Sequence, residues 1–98
     1  MLKQVEYHPE AKREIEESAI WYDEQSYGLG LEFLCEIKNT ESHIVKNSEL
    51  YPVYEAGTRR CIMHRFPFSV VYLILKEKIQ IVAVSHCKRK PWYWGNRL

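Results

Sequence analysis

Acidic residues are almost missing from the second part of this chain. Residues 56–98 hold one, Glu77, against nine Lys/Arg, a net of +8, whereas residues 1–55 hold five Lys/Arg against twelve Asp/Glu, a net of −7. The formal +1 of the 98 residues therefore conceals two oppositely charged parts, and the basic one points to nucleic acid or an acidic protein surface as its partner. Cysteine is also scarce. Cys35, Cys61 and Cys87 make an odd count with no CxxC spacing, which argues against a disulfide framework and for reduced thiols. No stretch approaches the roughly 18–20 consecutive apolar residues of a membrane span, and Met1 to Glu6 lack the apolar core of a secretory signal. A cytoplasmic protein with no membrane partner is the expectation. There is no phosphate-cradling glycine-rich loop, no Gly-x-Ser-x-Gly elbow and no nucleotide-binding fingerprint, and no cofactor is expected. With no repeat, low-complexity tract or linker, residues 1–98 are expected to form one domain.

What is present is enough apolar material, 46% of residues, to build a core. Gln4 to Tyr7 reads as a short strand, and Pro9 suits the first position of a helix, where a missing N–H costs nothing. From Glu10 to about Gln25, Ala11, Ile15, Ala19 and Tyr22 share a face, with Glu14, Glu16, Glu17 and Asp23 filling the rest. Ser26-Tyr27-Gly28 interrupts the pattern. A second helix is predicted from Leu29 to Lys46, with Phe33, Ile37 and Ile44 on one stripe, Leu34 and Val45 widening it, and Cys35 on the flank as a small buried hydrophobe. Residues 47–58 read as a connecting loop. Beyond it, Arg60 to Phe66, Phe68 to Leu75 and Ile79 to His86 are apolar, β-branched runs that predict three antiparallel strands, with Lys76-Glu77-Lys78 closing the last hairpin. The expected fold class is α+β: a short N-terminal strand and a helix hairpin packed on an antiparallel sheet of three to four strands.

The chemistry gathers after the last strand. In His86-Cys87-Lys88-Arg89-Lys90-Pro91-Trp92-Tyr93-Trp94, three cations sit beside three aromatic rings. Aromatic rings next to cations can stack on unpaired bases, or they can fold back to close a small core, the account favoured for Trp94. His64 and His86 are candidate proton carriers, histidine being the residue type suited to that role near neutral pH, although a histidine at a strand end also serves as a hydrogen-bonded structural residue. A zinc site built from Cys61, His64, His86 and Cys87 is disfavoured, because adjacent strand residues point to opposite faces, and no metal is expected. Trp21, Tyr22 and Tyr27, with the second helix, offer an apolar surface for a partner helix, or pack on the sheet in the ordinary way.

The element order resembles the RelE/ParE family of bacterial toxins from type II toxin–antitoxin modules, and particular residues carry the likeness. They are Leu50-Tyr51-Pro52, Arg59-Arg60, Arg65-Phe66-Pro67-Phe68-Ser69-Val70-Val71-Tyr72, Ile81-Val82-Ala83-Val84-Ser85-His86, and finally Arg89, Pro91 and Trp94. Together they look like the arginine–Phe-Pro–aromatic, strand–histidine, Arg-x-Pro pattern of ParE-like members, over essentially the whole chain. The resemblance implies a toxin of the growth-arrest and plasmid-stabilization kind, neutralised by a cognate antitoxin protein in a hetero-oligomer.

Within the family, ParE-like members poison DNA gyrase, whereas RelE-like members cut messenger RNA in the ribosomal A site. The Phe-Pro-Phe-Ser run and His86 point to gyrase. Ribosome-dependent members typically carry an arginine near the position of Ser69, where this chain departs from them. As an endoribonuclease the chain would rely on Arg65, His86 and Tyr93, with Lys88 and Arg89 around the phosphate. For either target, the residues expected to make contact are Arg59, Arg60, Arg65, Lys88, Arg89, Lys90 and Trp94. A third reading is a non-toxic module that only binds the antitoxin.

Overall fold

Pro9 opens the first helix as its ring geometry favours, and the His8 side chain caps it, Nδ1 accepting the Glu10 N–H at 3.1 Å. The computed structural model describes residues 3–98. Along the chain run β1 (Gln4–Tyr7), α1 (Pro9–Gln25), α2 (Leu29–Lys46), β2 (Arg59–Ile62), β3 (Phe68–Ile74) and β4 (Lys78–His86), with single 3-10 turns at Glu55–Gly57 and Gly95–Arg97. Both helices agree with the periodicity. Among the described residues, no helix is long and apolar enough to cross a membrane.

The turn between the helices depends on two glycines and one carboxylate. Gly28 sits at φ +87°, a left-handed conformation that costs a glycine little, and Asp23 accepts the N–H groups of Gly28 and Gly30 at 3.0 and 3.3 Å. Gly30 is where α2 meets α1: a Cβ there would collide with the Ala19 carbonyl oxygen. The helices can therefore close to backbone contact.

The four strands form one sheet in the order β1-β4-β3-β2. β2–β3 and β3–β4 are antiparallel, as expected, but β1 runs parallel to β4, Val5 opposite Ile79 and Tyr7 opposite Ile81, so the sheet is mixed. No tight turn links β1 to β4. The long connection through both helices supplies the crossover that parallel pairing needs. β2 is shorter than its apolar run, ending at Ile62. Pro67 lacks the N–H to continue a ladder, and residues 63–67 instead turn Met63 and Phe66 into the core.

One face of the sheet is covered by the helices. Phe33, Ile37 and Ile44 from α2 and Ala11 and Ala19 from α1 meet Val70, Tyr72, Ile79 and Ile81, and the rings of Tyr22, Phe33, Phe66 and Phe68 cluster with centroids 4.9–6.2 Å apart. Cys35 is exposed, contrary to expectation. Two residues beyond Phe33 it lies about 200° around the helix, on the side turned from the sheet. Leu34 is 39% exposed and contributes only its edge. Cys61 is buried and Cys87 exposed, and all three thiols are free.

Gly30→Ala discriminates between local and tertiary control. Helix propensity alone favours alanine by about 0.8–1 kcal/mol, whereas forcing a Cβ against the Ala19 carbonyl should cost about 1–3 kcal/mol. Urea unfolding is expected to show net destabilisation; a stabilised variant would mean the helices do not approach so closely.

Candidate functional site: a basic groove on the sheet

The sheet face opposite the helices is built from small side chains. β3 presents Ser69 and Val71 there and β4 presents Ala83 and Ser85, with Ser69 paired to Ser85 and Val71 to Ala83. At the next step Tyr72 faces Ile81, so Val82 is an extra residue, a β-bulge that leaves Val82 and Ala83 on this same face. After β4 the chain turns and folds back across it. Trp94, only 2% exposed, covers Val71, Val82 and Ala83, with Tyr54 and Tyr93 beside it. Trp94 folds back to close a second small core, the account favoured for it, because β4 leaves a shallow floor of valine and alanine that a large ring fills, and it also lines the groove described below.

Glu14 of α1 locks this tail in place. Beyond Ile81, β4 has no partner from β1, which ends at Tyr7. Glu14 reaches into that gap and accepts the Val84 N–H at 3.0 Å, and Arg97 donates to the Val82 carbonyl at 3.0 Å. The two side chains also pair bidentately, at 2.9 and 3.0 Å, and the Tyr93 hydroxyl donates to Glu14 at 2.5 Å. Arg89 stands 3.8 Å from the same carboxylate and lies over the Tyr93 ring at 3.8 Å. Glu14 and Arg97 are each 11% exposed in their side chains, so removing either strands its partner's charge in a poorly hydrated place, a loss on the order of 3–5 kcal/mol.

Burial, and then the hydrogen bond to Glu14, push the Tyr93 hydroxyl up to about 12. Burial works to lower the Arg97 pKa, but the hydrogen bonds and charge of Glu14 override it and raise it. Neither group is suited to exchanging protons near neutrality.

A groove of about 450 Å³ remains between the tail and β2. Ser69, Val71 and Ser85 form its floor, Tyr54, Arg60 and Ile62 one wall, and Lys88, Arg89, Pro91 and Trp94 the other. Among the described residues, no acidic one lines it. Arg60 is held by its guanidinium over the Tyr54 ring, 4.4 Å from the centroid. Lys88, Arg89 and Lys90 are all exposed.

The expected contact residues therefore divide. Arg60, Lys88 and Arg89 line the groove and Lys90 adjoins it, whereas Arg59 and Arg65 work elsewhere. Arg59 donates to the carbonyls of Glu49 and Tyr51, at 2.9 and 2.7 Å, and ties down the loop before β2. Arg65 pairs with Glu32 of α2 at 2.6 Å. Nor do the candidate catalytic residues form one constellation. Besides the engagement of Arg65, Tyr93 is committed to Glu14, whereas His86 lines the groove, its ring edge-on to Phe68 at 5.1 Å and its Nδ1 accepting the Lys88 N–H at 3.0 Å. His64 is exposed in the turn between β2 and β3. Sequence reasoning missed Tyr54, Ser69 and Ser85 as lining residues, and it missed Glu14 and Arg97 altogether.

No family model matches the chain, and no curated protein matches it in sequence. Solved structures are more informative. The fold is RelE/ParE-like. It superposes with a TM-score of 0.77 on a chain from the chromosomal ParDE TA system from P. aeruginosa, covering 87% of this chain and 96% of that one at 18% identity. The course of the backbone is thus largely shared with a chain of that system although few side chains are. In this chain the groove lies where β3, β4 and the tail converge.

The raised Tyr93 pKa has a definite pH signature. In the unfolded chain a tyrosine titrates near about 10, so the native state, holding Tyr93 neutral to about 12, is favoured by it fully below the unfolded value. That contribution is lost as pH rises from about 10 to about 12. Tyr7 and Tyr72 are raised by burial too, so the measurement is the difference between wild type and Tyr93→Phe in thermal unfolding against pH. The wild-type Tm should fall more steeply across this window; parallel curves would show that Tyr93 is not held neutral.

Proposed function

We propose that this protein is the toxin of a type II toxin–antitoxin pair and that DNA gyrase is its target. The fold likeness supports a toxin–antitoxin component, and the observation that carries the target reading is the state of the proton-transfer candidates. Cleavage of RNA by attack of its 2′-hydroxyl on the neighbouring phosphate, with the 5′-oxygen as leaving group, needs a base and an acid near one phosphate. Here the Tyr93 hydroxyl is committed to Glu14 and Arg65 pairs with Glu32, while His86 lines the groove with its Nδ1 taken by the Lys88 N–H. Of these three only His86 lines the groove, beside Arg60, Lys88 and Arg89, so the groove offers a cationic surface and one imidazole in place of a paired acid and base, which suits a toxin that grips its target instead of cutting it. Arg60, Lys88, Arg89 and Lys90 are the target contacts in this reading. The cognate antitoxin neutralises the protein in a hetero-oligomer by laying acidic side chains over the same cations. The site of action is the cytoplasm.

Expression without an antitoxin should arrest bacterial growth, and the purified protein should inhibit supercoiling by gyrase. Cleavage of messenger RNA on programmed ribosomes with supercoiling untouched would overturn the gyrase reading, and harmless expression of folded protein would leave only an antitoxin-binding module. Replacing Lys88, Arg89 and Lys90 together by alanine should abolish growth arrest while shifting Tm little, because exposed charges contribute about 0–1 kcal/mol to stability yet strongly to encounter. Full toxicity in the folded triple variant would remove these cations from the target surface.

A further inference from the structure

We infer that Glu14 and Arg97 are positioning residues for the Lys88-Arg89-Lys90 turn: by clasping the far end of the chain to α1 and β4 they fix the cationic wall of the groove. The inference rests on the reading that this groove meets the target, and the clasp itself is a matter of geometry. The turn is flanked by two anchors. On its N-terminal side, the Cys87 N–H donates to the Pro67 carbonyl at 2.7 Å and the Arg89 N–H to the His86 carbonyl at 2.9 Å. On its C-terminal side, everything depends on the tail staying down, which Trp94 secures by burial and Arg97 by its three contacts with Glu14 and Val82.

Between the anchors the backbone is held away from its preferences. Trp92 has φ +72°, a left-handed conformation unfavourable for a bulky side chain, and its ring rests against Trp94, with centroids 4.8 Å apart, and over Gly95. A Cβ on Gly95 would meet that ring at 2.8 Å, so the ring can rest here only over a glycine. Such a conformation persists only when its surroundings over-determine it. Releasing Arg97 removes one of the two constraints on Trp92, and with it the reason for residues 88–92 to keep their path. Arg89 is coupled more directly, since its guanidinium lies on the ring of Tyr93, whose hydroxyl is bound to Glu14, and faces the Glu14 carboxylate itself. Neither Glu14 nor Arg97 lines the groove. Their effect on it is transmitted through the tail.

The test separates positioning from general stability and does not depend on knowing the target. Backbone amide relaxation by NMR is measured for wild type, Arg97→Gln and Glu14→Gln, the last keeping an acceptor for the Val84 N–H should the arginine variant fail to fold. Ile44→Val, buried on α2 away from the tail, serves as a control for lost stability. In the clasp variants the order parameters of Lys88, Arg89 and Lys90 should drop from about 0.85 to below about 0.6, with β2, β3 and the helices unchanged, and growth arrest should be lost. Ile44→Val should keep both a rigid turn and growth arrest. A turn that stays rigid in both clasp variants overturns the proposal. A loosened turn with full growth arrest also overturns it, leaving the pair a purely structural role. Should the wild type itself fail to arrest growth, the proposed function falls, and the order parameters alone decide the clasp.

Discussion

One carboxylate carries a disproportionate share of this structure. Glu14 sits on the first helix, yet its donors come from the middle of the last strand and from the end of the chain: Val84, Tyr93 and Arg97, with Arg89 at longer range. An ion pair at this depth is not in itself a strong source of stability, because desolvating both charges offsets most of their attraction. Its value is geometric. A bidentate pair with a fixed fork, reinforced by a hydroxyl and an amide N–H, defines one arrangement of helix, strand and tail and penalises every other.

The bulge at Val82 makes that arrangement possible. Without the extra residue β4 would keep strict alternation, and Val82 and Ala83 would not both face the tail. With it, the strand provides a flat seat for Trp94 and a carbonyl for Arg97. The large ring and the buried arginine fasten the same dozen residues from two directions, one by apolar contact and one by charge.

The sheet also separates the signs of charge. Glu10, Glu16, Glu17, Glu24 and Glu32 belong to the helices, while Arg60, Lys88, Arg89 and Lys90 gather at the groove edge on the opposite side. A long-range field arranged in this way favours approach of an anionic surface to one side only. Cationic contacts across the divide, such as Arg65 with Glu32, reduce the number of free charges that a count of the sequence suggests.

The helices, the two antiparallel pairings and the helix-side core could be read from the chain because each reflects a short-range rule. Apolar residues recur at helical spacing through Phe33, Ile37 and Ile44, proline starts a helix at position 9, and apolar runs bounded by turns become strands. The charge division was equally legible, and so was the burial of Trp94, since a large aromatic ring in a small domain seeks cover. Tertiary structure alone decided the rest. The parallel placement of β1, the diversion of Arg65 to Glu32 and the pairing of Glu14 with Arg97 join residues distant in sequence, while the bulge and the tie from Arg59 to the loop before it follow from how the strands pair. No periodicity links such positions. A charged side chain declares its sign in the sequence, but whether that charge meets a partner or a neighbour depends on which backbone groups the folded chain leaves within its reach.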